Sequence, residues 1–233
     1  MNDIVRESPN FYRDRLGVAI TGVTLHSTRG GERTRDDPEA EFSAALDWLT
    51  QHSYQTAEGA TYRNPSIHYI VGHDGRLARV VPERHGAWHA GTGADRRGAN
   101  LNAIGVELVQ PTADTPYPEA LIARAVALVA DVCHRHGVPA RRTHDDAEPG
   151  IHHHSDLTSR KSDPGALWPS EVFIARVAAR LRALRGEGAP DDAGAAAALW
   201  AAVEGNARAV GELQSEVAAL RGRLRSAGEA LSG

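Results

Sequence analysis

A chain of 233 residues with 26 basic and 30 acidic side chains has a formal charge of −4, which leaves no basic surface for gripping nucleic-acid phosphates. That length holds one substantial domain plus an appendage, and a single cysteine, Cys133, excludes an intramolecular disulfide. No apolar run approaches the roughly 18 residues of a membrane span, and the first twenty residues, with charges scattered through them, do not read as an export signal. The expectation is a chain made in the cytoplasm, with neither nucleic acid nor membrane as a partner.

Residues 1–185 read as a mixed α/β domain. GVAITGVTLHST (17–28) is rich in β-branched residues and ends at a histidine, as a strand emerging from a core does. PEAEFSAALDWLTQHS (38–53) opens with proline at a helix start and carries Phe42, Ala45, Leu46 and Leu49 at helical spacing. SIHYIVGHDGRLARVVP (66–82) is two apolar runs around Asp-Gly, where Gly75 supplies the positive φ of a tight hairpin turn. AIGVELVQP (103–111) is a further strand in which Glu107 interrupts an apolar run. PEALIARAVALVADVCHRHG (118–137) is an amphipathic helix capped by Gly137, and PSEVFIARVAARLRALRG (169–186) is the last helix of the domain.

Residues 186–198, GEGAPDDAGAAAA, have the composition of a flexible linker. Beyond it, Val203, Val210, Val217, Leu224 and Leu231 recur every seven residues, with Leu199, Asn206, Leu213, Leu220 and Ala227 at the matching d positions. Valine at a with leucine at d favours a parallel two-stranded coiled coil, so a homo-oligomer through 199–233 is expected. A single amphipathic helix laid back on the domain is the alternative, since Gly205, Gly211, Gly222 and Gly228 each cost a helix about 1 kcal/mol.

Polar residues at strand ends or inside apolar runs cost roughly 1–3 kcal/mol to bury unless something pairs with them, and His26, Glu107, His154, Lys161 and Asp163 are of this kind. In HHHSDLTSRKSDPG (152–165), a loop can bring His154 and Asp163 to one point, and the Asp-Pro-Gly turn holds the carboxylate in place. Two such ligands and a third from elsewhere leave a fourth position open, which is the layout of a catalytic zinc site. A solvated loop accounts equally well for the three histidines taken alone. Lys161 is the only lysine among the 26 basic residues.

TLHST, SIHYIVGHDG, AWHAG, NAIGVELV and HSDLTSRKSDPG, in this order over residues 17–180, resemble the segments of the type 2 N-acetylmuramoyl-L-alanine amidases, whose fold is shared with peptidoglycan recognition proteins and many phage endolysins. The resemblance implies a central mixed β-sheet flanked by helices and zinc bound by His26, His154 and Asp163. It further implies that Glu107 activates water, that Lys161 faces the oxyanion, and that Trp88, His89, Asn100 and His68 line the groove for the muramyl peptide. An ammonium is a compact charge on a flexible stem where guanidinium is a broad fork, so a lysine retained among arginines fits that place.

The expected activity is zinc-dependent hydrolysis of the bond between N-acetylmuramic acid and L-alanine in bacterial peptidoglycan. The expected setting is a phage endolysin that reaches the cell wall after release from the cytoplasm; the alternatives are a cytosolic muropeptide-recycling amidase and a non-catalytic peptidoglycan-binding module. Because His26 and His154 must be neutral to hold metal, binding is expected to fail below about pH 6. No role follows from the sequence for His152 or His153.

Overall fold

The computed structural model describes residues 3–29, 34, 36–91 and 97–187; the heptad segment and nearly all of the linker expected before it lie outside these residues. In chain order the elements are β1 (Ile4–Val5), β2 (Phe11–Tyr12), β3 (Gly22–Ser27), α1 (Pro38–Thr50), β4 (Ser53–Gln55), β5 (Thr61–Arg63), β6 (Tyr69–Val71) and β7 (Leu77–Arg79). They continue with β8 (Gly86–Ala87), α2 (Arg97–Asn102), β9 (Ala103–Leu108), α3 (Glu119–His136), β10 (Gly150–His153), α4 (His154–Leu157) and α5 (Ser170–Leu184).

Six strands form one mixed sheet in the order β1-β7-β6-β9-β3-β10. Its centre is parallel: β6, β9, β3 and β10 all run the same way. β6 and β7 form the expected antiparallel hairpin, closed by Gly75 at φ +83°. Strands in the middle of such a sheet are covered on both faces and read as continuous apolar runs, and β3 is buried at all six positions. Val23 and Leu25 of β3 and Ile104, Val106 and Leu108 of β9 join the main core with Leu121, Val129 and Val132 of α3. α3 and α5 pack on each other, and α3 also meets β6 and β9.

Helix ends follow local chemistry. Asp37 caps α1 by accepting from the amides of Glu39 and Ala40, with Pro38 in the first turn, and Gly137 ends α3 in the left-handed conformation at φ +70°. Several elements differ from the sequence reading. The strand expected from residue 17 begins at Gly22, as β3, after Asp14, Arg15 and Leu16 form a left-handed turn with φ between 48° and 52°. That turn sends Arg15 inward, 3 % exposed, where its guanidinium donates to the carbonyls of Glu83, Leu101 and Ala103. Residues 150–153, of which only His152 and His153 were read from sequence, as part of a histidine-rich loop, are the edge strand β10. The hairpin β4–β5 lies between the expected helix and the expected hairpin, where no element is expected.

Gly105 of β9 lies beneath His89: a methyl group on it would come within 2.5 Å of Ile67 Cδ1 and 2.7 Å of His89 Cγ. Gly105→Ala should therefore lower stability by about 1–3 kcal/mol through overpacking, measured by chemical denaturation. An unchanged midpoint would show that the ring can move aside at no cost.

Candidate active site

The parallel register of the central strands assembles the site. β3 pairs with β9 so that His26 stands beside Glu107, and β10 pairs with β3 so that His153 stands beside Leu25, placing His154 just past the strand end next to His26. Glu107 is the one residue of β9 that is only partly buried. Ligand sites in such sheets form outside the carboxyl ends of the strands, which is where these three side chains meet. Asp163 arrives by the loop after α4, tied down by the Ser155 amide donating to the Asp163 carbonyl at 3.1 Å.

His26 Nδ1 lies 2.9 Å from His154 Nδ1 and 3.6 Å from Asp163 Oδ2, and His154 Nδ1 lies 3.1 Å from the same oxygen. Three ligand atoms thus surround one point, all on buried residues. Metal bonds of about 2.0–2.2 Å to a common centre suit that spacing, and two imidazoles with one carboxylate are a donor set that zinc accepts. The residues fit the group. Burial pushes His26 down to about 4, against the pull of its bond to Asp163, so the ring is neutral and its lone pair is available at neutral pH. Burial opposes the charge on Asp163, yet the two histidines bonded to it hold its carboxyl well below the usual range.

Glu107 and Lys161 line the same groove as the three. Burial, together with the charge of Asp163, pushes Glu107 up to about 8, while Lys161 pulls it back. His89 also lines the groove, and its Nδ1 lies 2.9 Å from His26 Nε2. If His26 offers Nδ1 to a metal, its Nε2 carries the proton and donates to His89, so His89 orients a ligand as well as bordering the groove. Trp88 lines an adjoining lobe.

Asn100 and His68 do not line the groove, and the expectation that they border it is corrected. Asn100 is 3 % exposed, and its Oδ1 accepts from the amides of His89 and Ala90, fixing the loop that carries His89. His68 is fully buried; its Nδ1 accepts from the Gly105 amide and its Nε2 faces the His85 carbonyl at 3.0 Å. Both polar ends of that ring serve the scaffold. The neighbours of His154 are structural too: His152 Nε2 faces the carbonyls of Asp145 and Glu148, and His153 Nε2 bonds Ser170 Oγ at the start of α5.

Among the groove residues that escaped the sequence reading, two large side chains come from one helix. Glu41 and Trp48 of α1 form part of its wall. Glu41 is 2 % exposed and bonds the Thr34 hydroxyl. Its signal was its position, four and eight residues before Ala45 and Leu49 on the inward stripe.

Residues 16–166 match the family described as N-acetylmuramoyl-L-alanine amidase. The chain belongs to this family. Among named relatives, it is 32 % identical over 126 residues to N-acetylmuramoyl-L-alanine amidase AmiD of Escherichia coli (strain K12), covering 47 % of this chain and 43 % of that protein. It is 33 % identical over 109 residues to 1,6-anhydro-N-acetylmuramyl-L-alanine amidase AmpD of Enterobacter cloacae, covering 46 % and 54 %. The chain thus spans about half the length of these relatives. Among solved structures, a selenomethionine derivative of AmpD aligns with a TM-score of 0.52 at 21 % identity over 75 % of this chain and 93 % of that one. The Staphylococcus aureus hydrolase AmiA in complex with its ligand aligns at 0.54 and 16 % identity, over 82 % and 88 %. At these identities the likeness establishes the amidase fold.

The buried histidines of this amidase fold also make its stability depend on pH. His26 and His153 are pushed down to about 4 by burial, and His68 to about 3 by burial and then by Arg15. Each takes a proton less readily folded than unfolded, so the unfolded chain binds more protons below the ordinary histidine value of about 6.5. The metal-free protein should therefore be at full stability above about pH 6.5 and lose up to about 1.4 kcal/mol per group for each pH unit as it is acidified towards 4. Denaturant titrations across that range read the slope; a flat profile between pH 6.5 and 4.5 would contradict the burial of these rings.

Proposed function

We propose that this chain hydrolyses the amide bond between N-acetylmuramic acid and L-alanine in bacterial peptidoglycan or its fragments, with zinc held by His26, His154 and Asp163. The observation that carries the reading is the convergence of two imidazole Nδ1 atoms and one carboxylate oxygen in a groove that Glu107 and Lys161 also line, in a member of the amidase family.

Zinc held there supplies Lewis acidity, which acidifies water and polarises the scissile carbonyl. The protein's own groups do the rest. Glu107, held in a setting that raises its proton affinity, takes the proton of the attacking water and delivers it to the departing L-alanine nitrogen, which would otherwise leave as a poor amide anion. Lys161, exposed at the rim of the groove, brings its ammonium to the oxygen on which negative charge develops. His89 keeps His26 in the tautomer that presents Nδ1, and Asn100 keeps His89 in place. A non-catalytic peptidoglycan-binding module is the competing reading, and the full donor set together with Glu107 and Lys161 supports the enzyme.

Of the two settings, the names of the matched relatives favour a muropeptide amidase over a phage endolysin. AmpD is named for the 1,6-anhydro sugar, and both relatives are named as amidases.

Mass spectrometry of muropeptides incubated with the zinc-loaded protein, with a chelated control, should show stem peptides beginning at L-alanine in the first sample only. Glu107→Ala and Lys161→Ala should each lower turnover by about 100-fold or more while the protein still carries zinc by elemental analysis. Near wild-type turnover in either variant would overturn this division of labour.

A further inference from the structure

Beside the metal-binding point the groove opens into a second lobe of about 530 Å³, bordered by Trp48, Tyr54, Trp88 and Arg63 and sharing His89, His154 and Lys161 with the first. Its outer wall is the β4–β5 hairpin. That hairpin is a two-stranded ribbon outside the main sheet, and such a ribbon is marginal in water unless something supports it.

Two fully buried asparagines support it. Asn10 Nδ2 donates to the carbonyls of Gln51 and His52, and Asn64 Nδ2 donates to the carbonyl of Trp48. The Arg63 guanidinium lies 5.9 Å over the Trp88 ring and donates to Asn10 Oδ1. The ribbon is thereby fixed to the end of α1 and to the loop that carries Trp88 and His89.

What this scaffold presents is a row of aromatic rings. Tyr54 and Tyr62 are direct cross-strand partners, with ring centres 5.8 Å apart and planes within 30° of parallel. Trp48 continues the row 4.9 Å from Tyr54. The outer members are open to solvent, Trp48 at 40 % and Tyr62 at 54 %. Contiguous exposed aromatic surface joined to a site marks a binding face, and flat rings with polar tips suit a ligand that has both apolar C–H faces and hydroxyls.

We propose that the Trp48–Tyr54–Tyr62 row is a saccharide subsite, which takes sugar residues of the glycan beyond the muramoyl unit that bears the scissile bond. The proposal rests on the amidase reading above, because that reading places a sugar at the metal-binding point and so at the inner end of the row. The rest of the first lobe favours the same orientation: Thr34 before α1 and Glu41, Ala44 and Ala45 along it offer no aromatic face, so the peptide side of the substrate lies there.

The test reads binding, without turnover. Chitotetraose, a peptide-free chain of N-acetylglucosamine, is titrated into the metal-free full chain while tryptophan fluorescence is followed. Wild type should show saturable quenching. Tyr62→Ser should weaken binding by about five-fold, as expected for loss of one stacking ring, and Tyr62→Phe should restore it. Trp48→Ala, checked for folding by circular dichroism, should abolish the signal. Absence of saturable binding, or equal affinity in Tyr62→Ser, would overturn the subsite. So would displacement of the saccharide by a sugar-free stem peptide with the affinity of the intact muropeptide, since that makes the row a peptide site. If the amidase reading alone is wrong, the zinc-loaded protein releases no stem peptide while the saccharide titration still saturates.

Discussion

The register between β3 and its two parallel neighbours is the constraint on which the rest depends. Side chains alternate along a strand, so a slip of one residue moves every one of them to the opposite face. In the observed register, Val23 and Leu25 are in the core while His26 stands beside Glu107. A single slip would put the histidine against the helices and leave the leucine in the groove. Burial of apolar surface therefore holds His26 and Glu107 side by side, and the site adds little to specifying that register.

Support for the site is layered in depth. Nearest the groove, His89 steadies His26; behind it, Asn100 holds the backbone of His89, and Gly105 leaves the space the ring needs. Below these, His68 pins the amide of Gly105. Apart from His89 Nε2, for which the described residues offer no partner, the polar groups of these layers are bonded within the protein, the condition under which such groups rigidify a structure. The groove rim is built differently: Lys161 and Arg160 are exposed, as is Tyr62 on the adjoining hairpin.

The long elements were legible in the sequence because their periodicity is strong. α3 has nine buried apolar residues on one stripe and a glycine at its end, and α1 opens with Asp-Pro. The central strands read as apolar runs for the reason that parallel strands do. β10 did not, since its four residues Gly-Ile-His-His contain one apolar side chain, and only pairing with β3 makes them a strand. The β4–β5 hairpin was hidden because its rings pack among themselves and against α1, outside any alternating pattern. At the site, the residues grouped as ligands and as acid and base are brought to one groove. His68 and Asn100 show the limit of reading by position: a histidine or asparagine in the right segment can face inward, and only the fold tells which way it turns.

The left-handed turn at Asp14–Leu16 has a bearing on where this domain can be cut. The family match begins at residue 16, yet the Arg15 guanidinium gathers three carbonyls from two separate stretches of chain. Asn10, a few residues earlier, holds the foot of the hairpin. An amidase domain trimmed to the matched span would keep every residue of the site and lose the keystone under it, leaving buried carbonyls with no donor. The unit that carries its own supports is therefore larger than the unit that is recognisable.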